Sequence, residues 1–266
     1  GLTSIFPMSE LSVMGFIEIV SNYKNLKKRL NHTVSAILDA KPDILLTIDS
    51  PEFCFRVIKK VKSFNRNIPI VHYVAPSVWA WRPKRAIEIA NYVDHVLALF
   101  PFEPPYFNNV GLSCDFVGHP IVSEDTATKE NIIELKTQYS LGNEPVILCL
   151  PGSRESEINR LMPTFGKTLE RFSNVLPNSR FILCSTPNVF EHSKNYLKGM
   201  PKNTIFLSPE EIGMEKYLAF KKASFKISAL ALAASGTVSL ELAANRTPMV
   251  IGYDMNYFSR QIIQMM

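Results

Sequence analysis

Residues 145–158 read PVILCLPGSRESEI. An apolar, β-branched run stops at Pro151-Gly152-Ser153, and a polar stretch of helical spacing follows. The segment reads as strand, tight turn, helix. Its strand is apolar without alternation, which is the pattern of a parallel strand covered on both faces. The same pattern recurs on both sides. Downstream it returns in RFILCST (180–186), TIFLS (204–208) and PMVIGY (248–253), with a further strand expected within FKISALALAASG (225–236). Upstream lie DILLTID (43–49), IVHYVAP (70–76), HVLALFP (95–101) and CDFVGHP (114–120). Helix-length stretches separate these runs, so two series of strands predict two α/β domains with parallel sheets. The stretch 122–143 is polar and marks the boundary, giving domains of residues 1–128 and 129–266.

Composition sets the outer limits. The chain has 266 residues, enough for one large or two medium domains. Its 46% hydrophobic and 20% charged content excludes a disordered chain. No apolar run approaches the ~18 residues of a membrane span. The opening GLTSIFPMSE lacks the basic start and long apolar stretch of a cleaved secretory signal. Cys54, Cys114, Cys149 and Cys184 are widely spaced, and the last two sit within apolar runs. Buried reduced thiols and a cytosolic setting are expected. The five histidines are scattered, with no H-E-x-x-H, so no structural metal is expected. A net charge of +5 suits small anions or an anionic surface. No RRM, KH or zinc pattern is present, and no nucleic-acid partner is expected.

Ligands of open parallel sheets bind beyond the carboxyl ends of the strands. That rule selects a few loops. In PGSR, the helix start offers unpaired N–H groups beside Ser153, and Arg154 adds a forked cation suited to phosphate oxygens; a plain turn with a solvent-facing arginine fits the same residues. In AASGTVSLELA, Ser235, Gly236 and Thr237 open a helix over 237–245, with Ser235 or Thr237 as its cap. Glu241, a turn later, suits the hydroxyls of a ribose, or simply solvent. In IDSPEF, Asp49 and Glu52 are candidates to take a proton from a hydroxyl nucleophile; Asp49 as a helix N-cap is the alternative. HYVAPSVWAWRPKR (72–85) places both tryptophans, Trp79 and Trp81, beside Arg82, Lys84 and Arg85. No G-x-G-x-x-G, complete P-loop pattern or D-x-D occurs. In residues 10–30, apolar Val13, Phe16, Ile17 and Val20 precede cationic Lys27 and Lys28. This suits an anionic bilayer surface or, alternatively, a core helix with a solvated tail.

LSVMGFIEIV, KPDILLTIDSPEF, HYVAPSVWAWRPKR, LALFPFE, FVGHP, LPGSRESEI, ASGTVSLE and PMVIGY, in this order, resemble the lipid-A-disaccharide synthases. These are inverting glycosyltransferases of the GT-B type. The resemblance implies two Rossmann-like domains, both incomplete. The first strand and its glycine-rich loop would be missing at one end, and the closing part of the second domain at the other. It implies UDP-2,3-diacylglucosamine as donor, held by the second domain through Ser153, Arg154, Ser235, Gly236, Thr237 and Glu241. The acceptor would be 2,3-diacylglucosamine 1-phosphate, near Trp79, Arg82 and Arg85, with Glu52 or Asp49 as base. The family pattern has aspartate where this chain has Glu52. No metal or cofactor is implied. The implied location is the cytoplasmic face of the inner membrane, as a peripheral protein. Two other readings stay open: a GT-B-like UDP-sugar epimerase, and a non-catalytic lipid- or nucleotide-binding remnant.

Overall fold

A computed structural model of the chain describes residues 3–7, 10–11, 23–80 and 82–254. Every apolar run expected to be extended is a strand. These are β1 (Leu45–Ile48), β2 (Ile70–Tyr73), β3 (His95–Ala98), β4 (Ser113–Phe116), β5 (Val146–Leu150), β6 (Arg180–Cys184), β7 (Thr204–Leu207), β8 (Ser228–Ala234) and β9 (Met249–Gly252). The chain divides into two compact units between His119 and Pro120.

In the first unit, four parallel strands lie in chain order, β1-β2-β3-β4. One sheet face bears Ile70, Val96, Ala98 and Cys114, all buried. Helix Pro51–Phe64 covers it with Phe55, Val57, Ile58 and Val61, in which 55, 58 and 61 recur every three residues and 57 and 61 are four apart, all on one side of the helix. Ala86, Ile89 and Phe107 complete this core from the short helices Lys84–Ile89 and Pro104–Asn108. His72 is also fully buried here. Its Nδ1 meets Thr47 Oγ1 at 2.8 Å, and its ring lies 4.7 Å from that of Phe55. Burial pushes its pKa down to about 4; the charge of Arg85 adds to this and that of Asp49 opposes it.

The second unit holds five parallel strands in the order β7-β6-β5-β8-β9. β5 is buried along its whole length. Leu148 and Leu150 point into a core with Ile182, Ala231, Phe220 and Leu242. Ile147 and Cys149 point the other way, against Ile158, Met162, Phe165 and Leu169. These last four lie on helix Glu155–Val175. Two covered faces explain why VILCL shows no alternation. The polar stretch 122–143 contains helix Lys129–Gln138, which a reciprocal Thr128–Asn131 cap opens and which buries Leu135 against helix Met214–Ile227.

Strand order decides where a ligand can bind. From β5 the chain winds outward through β6 and β7, then returns to place β8 on the other flank of β5. The direction reverses between β5 and β8, where Leu150 stands beside Ala233. At such a switch point the two following loops part and leave a crevice.

Candidate functional site

A cavity of about 430 Å³ opens at that switch point. The loop after β5 contributes Gly152, Ser153 and Arg154. The loop after β8 contributes Ser235, Gly236 and Thr237, with Glu241 beyond them. The six residues read from the sequence as a donor site, together with Gly152, therefore line one cavity.

The two helix starts in this cavity are built differently. Helix Glu155–Val175 is closed by its own Glu157. Glu157 Oε2 accepts from the backbone N–H of Ser153 at 3.0 Å and of Arg154 at 3.3 Å, while Oε1 accepts from Arg154 Nη1 at 2.7 Å. Gly152 has φ +116°, and a Cβ there would lie 2.3 Å from Glu157 Oε2. Glycine is what lets the carboxylate fold under the turn. Helix Thr237–Ala244 has Gly236 as its N-cap residue and no side-chain cap. The expected cap by Ser235 or Thr237 is not formed; the Ser235 N–H donates to Gly252 O instead, at 2.9 Å. The Ser239 N–H donates to Gly236 O at 3.1 Å, and this start keeps the N–H groups of Thr237 and Val238 for a ligand.

Glu241 is half-buried and pairs with Lys221, Nζ to Oε2 2.6 Å. Lys221, Thr186 and Tyr217 also line the cavity, and sequence reasoning missed all three. Lys221 lies 20 positions before its partner, and no local motif announces it. Burial holds the Tyr217 phenol above its ordinary pKa and pushes the Cys184 thiol up to about 12, so both stay neutral. The cavity's charges are thus Arg154 and Lys221 against Glu157 and Glu241.

In the first unit, β1 ends in two left-handed residues, Asp49 at φ 52° and Ser50 at φ 42°. Val74, after neighbouring β2, has φ 77°. Strain of this kind gathers at functional sites. Ser50, not Asp49, is the N-cap of helix Pro51–Phe64, and it makes no side-chain cap bond. Glu52 follows in the first turn, 62% exposed, and bridges two arginines. Its Oε1 lies 3.0 Å from Arg85 Nη2 and 3.3 Å from Arg82 Nη1. Arg85 is mostly buried, its guanidinium 5.3 Å from the Phe55 ring centre.

Two cavities flank Glu52, and both include it and Arg82. One, of about 700 Å³, adds Arg56, Lys59, Lys84 and Arg85. The other, of about 610 Å³, carries apolar Leu11, Leu26, Leu30 and Phe53 together with Lys27, Lys60 and, like the first, Arg56. Asp49 lines neither. Trp79 is 43% exposed and stands edge-on to Phe102, ring centres 5.2 Å apart. Trp81 lies outside the described residues, as do Val13, Phe16, Ile17 and Val20. Lys27 and Lys28 are exposed on helix Tyr23–Ala40. On the same helix, Arg29 is held by Glu10 through two hydrogen bonds, at 2.6 and 2.8 Å.

Among the described residues, no cluster of three or more His, Cys, Asp or Glu could hold a metal ion. No described helix is long and apolar enough to cross a membrane.

The model of one protein family, described as lipid-A-disaccharide synthetase, matches residues 1–266. A lipid-A-disaccharide synthase of Ruegeria pomeroyi is 48% identical over 266 residues, 100% of this chain and 66% of that protein. One of Rhodospirillum centenum is 42% identical, covering 98% of this chain and 63% of its own length. One of Rickettsia typhi is 38% identical, at 98% and 66%. The chain therefore spans just under two thirds of these curated relatives. Among solved structures, a UDP-GlcNAc 2-epimerase of Neisseria meningitidis bound to UDP-GlcNAc superposes with a TM-score of 0.61 at 14% identity, over 97% of this chain and 70% of that one. MnaA of S. aureus with UDP gives 0.60 at 16%, over 90% and 64%. At such identities the likeness shows the fold alone, two Rossmann-like α/β units of the GT-B type.

Proposed function

The chain belongs to the lipid-A-disaccharide synthetase family, and from that premise we propose that it joins two acylated glucosamines. The donor is UDP-2,3-diacylglucosamine and the acceptor 2,3-diacylglucosamine 1-phosphate. The acceptor's 6-hydroxyl oxygen forms a bond to the donor's anomeric carbon. The bond from that carbon to the diphosphate breaks, UDP leaves, and a β-1,6-linked disaccharide results. The hydroxyl proton passes to Glu52, with Asp49 as the second choice.

The observation that carries this reading is the cavity between the loops after β5 and β8. It combines an uncapped helix start, a forked cation in Arg154 and a half-buried carboxylate in Glu241. The helix start and Arg154 suit a diphosphate, and they stabilise it as charge develops on the leaving group. Glu241 suits the ribose hydroxyls. In the first unit, the cationic cavity beside Glu52 suits the acceptor's phosphate through Arg82 and Arg85, and the apolar residues of the cavity beside it suit acyl carbons. Glu52 meets both arginines through Oε1, so its Oε2 is the oxygen to take the proton, and an acceptor phosphate offers either arginine an alternative partner. Residues 13–28 bring such a protein to an anionic bilayer, as a peripheral protein of the inner membrane's cytoplasmic face, through Val13, Phe16, Ile17, Val20, Lys27 and Lys28. Incubation with donor and acceptor tests the reaction. Disaccharide and UDP in equal amounts are expected. An epimerised UDP-sugar without disaccharide, or no turnover, overturns it.

A further inference from the structure

Glu103 is the one buried carboxylate among the described residues, 3% exposed. It lies in the loop after β3. Its Oε2 accepts from two consecutive backbone N–H groups, Leu99 at 3.1 Å and Phe100 at 2.9 Å. Its Oε1 accepts from the indole Nε1 of Trp79 at 3.4 Å, a long contact beside the usual range of about 2.7–3.2 Å. A row of rings continues from Trp79. Trp79 meets Phe102 edge-on, Phe102 stacks on Phe100 at 5.6 Å, and Phe100 lies 6.0 Å from His119. Phe102 is 47% exposed, as open as Trp79.

The chemistry of the side chain matters here. An ionised carboxylate is acceptor-only at both oxygens, so it can serve N–H groups arriving from two directions. A glutamine has one accepting oxygen. It can satisfy the backbone pair or the indole, and its NH₂ then faces the other donor. The second oxygen is spent on Trp79.

We propose that Glu103 is a positioning residue, whose carboxylate aims the Trp79 indole and the Phe100–Phe102 row at the acceptor. This rests on the reading above that Trp79 borders the acceptor site. It adds what holds the ring there.

Two measurements test it together. With Trp81→Phe as background, Trp79 is the only tryptophan of this chain, since the sequence has two. Glu103→Gln in that background should red-shift Trp79 emission and raise its quenching by acrylamide. In the enzyme assay, Glu103→Gln should raise the acceptor KM about tenfold, the loss of one charge-assisted hydrogen bond, while UDP affinity stays unchanged. Trp79→Phe keeps a ring and removes the N–H, so the double variant should be no worse than the worse single one. Effects that multiply would make Glu103 a general structural residue and overturn the proposal. So would unchanged Trp79 emission, or an unchanged acceptor KM in Glu103→Gln when Trp79→Ala raises it. An unchanged KM in Trp79→Ala itself overturns the acceptor-site reading, and this proposal with it. Should Glu103→Gln fail to fold, Trp79→Phe decides alone: a KM raised about tenfold supports the proposal, and a wild-type KM overturns it.

Discussion

Glu52 and Glu157 each lie shortly after a strand, one in each unit, and pair with arginine, two at Glu52 and one at Glu157, yet they are built for different work. Glu157 is held by the main chain. It closes the turn after β5 through two backbone N–H groups and keeps Arg154 at 2.7 Å. Glu52 is held only by side chains, Arg82 and Arg85, and is 62% exposed. Removing Glu157's contacts would undo a turn; removing those of Glu52 would rearrange a surface. The second unit has the properties of a fixed receptacle, and the first those of a place where partners are exchanged. A proton acceptor needs the second kind of setting.

The sharpest attack on this contrast is Glu52→Gln. It keeps the shape and removes the proposed proton acceptor, and turnover should fall roughly 10²- to 10⁴-fold, the usual weight of a general base. UDP affinity by titration calorimetry should stay at the wild-type value. A variant that keeps most of its kcat would move the base role to Asp49 or elsewhere. Next comes Arg154→Ala, which should weaken UDP binding by about 1.5–3 kcal/mol through one lost charge-assisted contact. Unchanged affinity would remove Arg154 from the site and leave the cavity to the uncapped helix start.

The units should also part in acid. His72, in the first unit's core, has its pKa held down to about 4, against about 6.5 in an unfolded chain. Between those values the unfolded chain binds the extra proton, so stability falls as pH drops through this window. About 2 kcal/mol should be gone by pH 5. The second unit's histidine, His192, sits at the surface beside Glu155 and adds no such core charge. Both tryptophans lie in the first unit. The urea midpoint read by their emission should therefore drop more between pH 7 and pH 5 than the midpoint read by far-UV circular dichroism. Equal drops would show that the two units share their acid sensitivity.

The smallest effect concerns the surface. Lys28→Gln should weaken binding to vesicles containing anionic lipid by about 1 kcal/mol at low salt. High salt should abolish most of that difference. A difference that persists in high salt would speak for apolar contact at this helix rather than charge.

The strands could be read because each carries its own evidence: a buried strand must be apolar whatever lies beside it. Their order could not. Nothing in VILCL says that SALALAA, about 80 residues later, will be its neighbour, and the cavity depends on that adjacency. The same division separates the site residues. Arg154 and Ser235 lie in the turns that follow strands, Glu241 lies within the helix after the second of them, and all three are visible in the sequence. Thr186, two residues past β6, falls under the same rule, whereas Lys221 and Tyr217, on helix Met214–Ile227, reach the cavity by tertiary packing alone. Asp49 and Ser50 show a further limit. Both are good capping residues, yet the backbone is left-handed at both, and Ser50, at the N-cap position, makes no side-chain cap bond.

Those left-handed residues also bear on redesign. For a residue with a Cβ, left-handed backbone costs roughly 1–2 kcal/mol. A designer seeking thermostability alone would write glycine at 49, 50 and 74 and expect a gain. The first of those changes would delete a candidate carboxylate, and together they would loosen the bend that presents Glu52. The positions most inviting to a stability screen are the ones where its winners should be checked first for turnover.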